Sequence, residues 1–249
     1  MEEQSLVGTF LKRNIHAITL SQSGEQIFYL TGTIGDTVGT IANPNGKQSS
    51  KVFFSPLSEW TLQWTSGNTI AFTTKPSAAT LGYLYFFNKS SKVFEKVIGG
   101  KNGLTTLVSP DKQSSLYSEN VRNSITFGVL DIGAEEETTL PVTTLPEKCV
   151  WSINEEYVVY CAVPDSMMGR EYPDRWYQGL VSFSDSIWKI NTKTGTADMI
   201  IEPGREVGLE MDIITMMLTN DEKYLLFINK KDSILWSLRL GEMLPTSNN

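Results

Sequence analysis

Carboxylates are the one class of side chain in this sequence placed to carry acid–base chemistry. Glu59, Glu147, Glu210 and Asp212 each stand just before an apolar run that reads as a β-strand, and Asp185 stands before another. If those strands line a common channel, their carboxylates converge at its mouth. A converging pair can act as acid and nucleophile in cleaving a glycosidic bond. The competing reading is solvated charge at strand ends in an acidic chain. The lone histidine, His16, excludes multi-histidine metal sites, and any Ser-His-Asp or Cys-His nucleophile would have to use it. His16 alternates with Ile18 and Leu20 in Ile-His-Ala-Ile-Thr-Leu, which reads as a residue on one face of a strand. No phosphate-binding glycine loop, EF-hand loop or zinc spacing occurs, so neither a metal nor a cofactor is expected.

Two further groups of residues stand out. Cys149 and Cys161 flank a tight turn and share the index sum 310 with the turn pair 153 and 157, so a hairpin sets them opposite each other. They read either as a disulfide, which would favour an oxidising compartment, or as two buried thiols. Residues 164–184 are an insertion that combines Met167, Met168, Arg170, Tyr172, Asp174, Arg175, Trp176 and Tyr177. Such side chains are enriched in binding surfaces, which makes Arg170, Tyr172, Asp174, Arg175, Trp176 and Tyr177 candidate contact residues. They read equally as a plug with its aromatics turned inward. Asn88-Lys89-Ser90 matches a glycosylation triplet in a turn, a pattern common by chance.

The elements that must position these residues recur. A polar turn starts at Ser21, Thr65, Ser109, Ser152 and Thr219, at intervals of 44, 44, 43 and 67 residues. An apolar run precedes each turn, at residues 15–20, 60–64, 104–108, 148–151 and 213–218. A second strand rich in β-branched and aromatic residues follows each turn, then a third and a fourth. No segment shows a sustained helical period. A period near 44 residues with four short strands predicts an all-β fold, a five-bladed β-propeller of four-stranded antiparallel blades. The fifth repeat lacks a fourth strand, and residues 5–11 could supply it and close the ring, which would remove exposed strand edges. The expected organisation is one propeller domain over residues 1–240, with a tail over 241–249.

The turns add a resemblance. Val108-Ser109-Pro110-Asp111-Lys112 and, next, Leu218-Thr219-Asn220-Asp221-Glu222 resemble the TolB-type, WD-repeat-like propeller repeats of bacteria. The second and fourth repeats lack the Pro-Asp pair. The resemblance implies a propeller and, as its usual role, protein interaction. It carries over no catalytic residue. A likeness to five-bladed glycoside hydrolases is one of blade count only.

Charge and hydropathy narrow the partners. The formal charge is −7 with no basic cluster, which argues against nucleic acid and anionic membranes. No run of apolar residues is long enough to span a bilayer, and the acidic start Met1-Glu2-Glu3-Gln4 does not read as a signal peptide. The sequence therefore reads as a non-enzymatic module that binds a protein or glycan partner, in an extracytoplasmic or cell-surface setting, with a cytoplasmic one left open. The alternative is a carboxylate-dependent, glycan-active hydrolase using Glu59, Glu147, Asp185 or Asp212.

Overall fold

The repeated turns owe their recurrence to their first residue. The Ser21 hydroxyl accepts from the Gln26 N–H at 3.0 Å, the Ser109 hydroxyl from the Ser114 N–H at 3.0 Å and the Thr219 hydroxyl from the Tyr224 N–H at 3.1 Å. Asp111 and Asp221 then accept from the backbone two residues on. A short side chain that bonds its own backbone is what a tight turn selects.

The computed structural model describes residues 8–11, 14–122, 124–167 and 171–241. Five antiparallel sheets follow one another in chain order. The first is β1 (Ile15–Leu20), β2 (Ile27–Thr33), β3 (Asp36–Ala42) and β4 (Ser50–Ser55), and the second is β5 (Trp60–Trp64), β6 (Thr69–Thr74), β7 (Leu81–Asn88) and β8 (Phe94–Asn102). The third is β9 (Thr105–Val108), β10 (Ser114–Val121), β11 (Ser124–Asp131) and β12 (Glu136–Thr139). The fourth is β13 (Cys149–Trp151), β14 (Val158–Pro164), β15 (Asp185–Asn191) and β16 (Ala197–Ile201). The fifth is β17 (Ile213–Leu218), β18 (Tyr224–Asn229) and β19 (Ile234–Arg239), three strands among the described residues. These sheets are the blades of a five-bladed β-propeller. Helix is confined to the single turns α1 (Asp174–Tyr177) and α2 (Pro203–Glu206) and a 3-10 turn at Pro146–Lys148.

Second strands such as β6 and β14 are buried on both faces, which is why they read as continuous apolar runs. The chain divides into two compact units, Met1–Lys75 with Gly82–Gly100 and Pro76–Leu81 with Lys101–Asn249. In the first unit Phe28, Phe53, Trp60, Phe72 and Phe87 form an aromatic core, with Phe28 and Phe72 edge to face at 5.5 Å. Gly39 packs beneath Phe28 and Phe53, where any side chain would collide. The Thr19 hydroxyl accepts from the Trp64 N–H at 2.9 Å and ties β1 to β5. In the second unit one core joins Leu116, Phe127, Trp151 and Val159, and another joins Tyr160, Ile187, Ile213 and Phe227. Glu222 accepts from the Ser152 hydroxyl and from the N–H groups of Ile153 and Asn154, which fastens the fifth blade to the fourth.

The expected closing strand falls partly outside the described residues, which begin at residue 8. Residues 8–11 form no strand. Leu11 instead packs with Ile15 against Ile27, Tyr29 and Ala42, where its apolar side chain is covered by the first blade. The expected tail lies outside the described residues beyond Gly241.

Candidate functional site

A dense group of charged side chains lies in the second unit, at the entry to β13 and β17. The 3-10 turn Pro146–Lys148, closed by the Lys148 N–H to Leu145 O at 2.8 Å, delivers Glu147 and Lys148 there. Lys148 is fully buried. Its Nζ lies 2.7 Å from Asp185 Oδ2, 2.8 Å from Asp212 Oδ1 and 2.8 Å from Ile213 O. An ammonium has three protons to donate, and these three oxygens take them all. The rings of Trp176 and Phe183 cover the same ammonium at 4.9 and 5.2 Å.

Asp212 is the hub. It accepts from Lys148, from Trp176 Nε1 at 3.0 Å and from the Ser182 hydroxyl at 3.2 Å, while its own N–H donates to Asn229 Oδ1 at 3.1 Å. Asp185 Oδ2 also accepts the Ile213 N–H at 2.6 Å, but Asp185 Oδ1 is sealed from solvent without a partner among the described residues. Glu147 accepts from the Tyr177 hydroxyl, and its second oxygen is likewise sealed and unpaired.

Burial and charge pull these groups in different directions. Burial pushes the Glu147 carboxyl up to about 7, against the Tyr177 hydroxyl and the positive charges of Lys148 and Lys230. Burial pushes Asp185 up to about 6, against Lys148 and the Ile213 N–H. At Asp212 burial also acts upward, but Lys148 and the Trp176 N–H outweigh it and hold the carboxyl below its ordinary value. Burial and the Glu147 charge raise the Tyr177 phenol, which stays protonated and donates.

The insertion is built over this centre. Tyr172, Trp176 and Phe183 pack with Leu145, and the Trp176 and Phe183 rings stack at 6.0 Å. Asp174 accepts the Ala78 N–H at 2.6 Å, Asn120 Nδ2 donates to Tyr172 O at 3.1 Å, and Lys230 donates to Trp176 O. Of the expected contact residues, Tyr172 and Trp176 are turned inward, where their rings pack with Leu145 and Phe183 and the Trp176 N–H donates to Asp212. Asp174 and Arg175 are half-buried and Tyr177 is exposed. Arg170 lies outside the described residues.

The carboxylates expected at a channel mouth divide. Asp185 and Asp212 come together on Lys148, and Glu147, the residue before it, is bonded to Tyr177 of the insertion. Glu59 belongs to the first unit, where it is exposed and pairs with Lys75 at 2.5 Å, and Glu210 is exposed and pairs with Lys231 at 3.2 Å. Sequence reasoning missed Lys148. Its signal was a lysine directly before the apolar Cys149-Val150-Trp151. Cys149 stands opposite Cys161 in the β13–β14 register, Cα atoms 4.1 Å apart, and the two are joined as a disulfide. Among the described residues no group of His, Cys, Asp and Glu could hold a metal ion, and no helix is long and apolar enough to cross a membrane.

No protein-family model and no curated protein sequence matches this chain. Solved structures do. Hydrazine synthase of Kuenenia stuttgartiensis superposes with a TM-score of 0.62 at 15% identity, over 90% of this chain and 64% of that one. TolB from Acinetobacter baumannii gives 0.59 at 13%, over 87% and 53%. The β-propeller domain of the Trilobed protease from Pyrococcus furiosus, whose topology is described as open velcro, gives 0.56 at 13%, over 92% and 70%. The chain thus spans less than two thirds of the first two. At such identities the likeness is one of fold.

Proposed function

We propose that this propeller is a non-enzymatic binding module whose partner docks on the outward face of the insertion. The observation that carries this reading is the state of the carboxylates. Asp185 and Asp212 are fully buried, share one ammonium and are roofed by Trp176, so no substrate reaches them. A hydrolytic pair needs access for sugar and water. The same centre anchors the insertion, which presents Tyr177 and Leu180 to solvent beside Arg175, a half-buried guanidinium with no bonded partner among the described residues. An aromatic, an aliphatic and an arginine side chain on a rigid base suit a protein contact. The neighbours in fold, a synthase and a protease among them, do not decide the role, since propellers host many. The Cys149–Cys161 disulfide supports an oxidising, extracytoplasmic setting.

The test is a surface variant, Arg175→Glu with Tyr177→Ala and Leu180→Ser, compared with the unaltered protein in cross-linked capture from the native host. A partner retained only by the unaltered protein, with equal melting temperatures, supports the reading. Equal capture by both moves the surface elsewhere. Turnover of aryl glycosides that is lost in Asp212→Asn would restore the hydrolase reading.

A further inference from the structure

The first unit carries a cleft of its own, with a volume of about 800 Å³. That lies within the roughly 300–1,000 Å³ of small-molecule sites. His16 opens onto it. The β1–β2 register shifts between Ile15 and Ala17, so His16 is the extra residue of a bulge, and bulges re-aim side chains. The apolar side is Ile34, which is 88% exposed, with no more than an edge of Trp60, which is 7% exposed and whose indole N–H is committed to Leu57 O at 3.0 Å. Gly32 holds the rim in place. Its φ is +116°, and a side chain there would strike the Asp36 carbonyl, so the Thr33–Ile34 tip keeps this path only with glycine.

The polar lining has two kinds of group. The side chains of His16, Thr33, Ser58 and Thr61 make no hydrogen bond among the described residues and are free to bond a ligand. Glu59 and Lys75 are bonded to each other at 2.5 Å and cancel in charge. An anion or a cation entering the cleft would therefore meet an already paired opposite charge. A neutral ligand with several hydroxyls and one apolar face would meet free hydroxyls, an imidazole and the apolar side chain of Ile34.

We propose that this cleft binds a neutral saccharide unit. The site uses only residues of the first unit, whereas the docking surface proposed above uses only residues of the second, so each can fail without the other.

His16 is the only histidine, so its imidazole gives a single, unambiguous NMR signal. The probes are the methyl glycosides of glucose, galactose and mannose, with glucuronate and glucosamine as charged counterparts. At least one neutral glycoside should shift the His16 signal saturably in the millimolar range, and the charged sugars should bind more weakly. Thr61→Trp, which fills the cleft from an exposed strand position, should abolish the shift. The double variant Thr33→Ala, Ser58→Ala should weaken binding at least about threefold, the loss of a modest hydrogen bond. The proposal is overturned if no neutral glycoside gives a saturable shift, if a charged sugar binds more tightly, or if a folded Thr61→Trp protein or the double variant responds as the unaltered one does.

Discussion

Lys148 Nζ lies 2.8 Å from Asp212 Oδ1, and both side chains are fully buried, so the fourth and fifth blades meet through an ion pair rather than through apolar contact alone at this point. Asp212 in turn holds Trp176, so the same pair fastens the insertion. Charge pairing, packing and the position of the proposed docking surface are one structure.

Removing Lys148 would leave two buried carboxylates without a countercharge. Lys148→Met is expected to lower unfolding free energy by about 3–5 kcal/mol, the usual cost of breaking a buried pair from one side. Urea unfolding followed by tryptophan fluorescence measures it. A loss below about 1 kcal/mol would mean that the centre is not buried and paired as described.

The centre also predicts a pH dependence with a definite sign. Burial raises Glu147 to about 7 and Asp185 to about 6. A carboxyl with a raised folded value holds its proton more tightly in the folded chain than in the unfolded one. Its contribution is full below the ordinary carboxylate range and is lost as pH rises through 6 and 7. Asp212, held low by Lys148 and Trp176 against its burial, acts the other way, and its share is lost only in acid. Stability should therefore fall between about pH 4 and about pH 7, by on the order of 2 kcal/mol once the solvent-facing part of Glu147 is discounted. Glu147→Gln should flatten that slope. A slope unchanged in Glu147→Gln would remove Glu147 from the account.

Trp176 links the insertion to the core through its ring and its N–H. Trp176→Ala should cost about 3–5 kcal/mol, as for other buried aromatics. It should also expose the 164–184 segment to cleavage after Arg175. Trp176→Phe keeps most of the packing and loses the bond to Asp212, so it should fall between the two. Trypsin resistance of Trp176→Ala equal to that of the unaltered protein would mean that the segment is held elsewhere.

The Cys149–Cys161 bridge closes a short loop across β13 and β14, with a sequence separation of 12. Cys149→Ala with Cys161→Ala should cost about 2–3 kcal/mol by the loop-entropy argument. Dithiothreitol should bring the unaltered protein to the same stability. Mass spectrometry of protein prepared without reductant should find the linked peptide, and two alkylated thiols would contradict both the bridge and the oxidising setting.

The repeat was legible because its cause is local. A Ser or Thr followed by Asp or Gly makes a turn whichever fold surrounds it, and alternating or continuous apolar runs form strands by a period of two. Hairpin pairing is local too, so the index sum of Cys149 and Cys161 anticipated their register. Blade count and strand order followed from counting these units.

What the insertion does with its rings was not legible. Tyr172, Trp176 and Tyr177 look alike in sequence, and only the fold separates the first two, which are buried, from the third, which faces solvent. Glu147, Asp185 and Asp212 stood as a set of strand-end carboxylates, but the ammonium that joins the last two comes from Lys148, up to 64 residues away in sequence, while Glu147 is bonded to Tyr177. Local interactions act over a turn or a hairpin, and so the sequence by itself determined the blades. Burial and ion pairing depend on which distant segments share a volume, and so only the tertiary structure decided which carboxylates are neutralised and which surface is left to a partner.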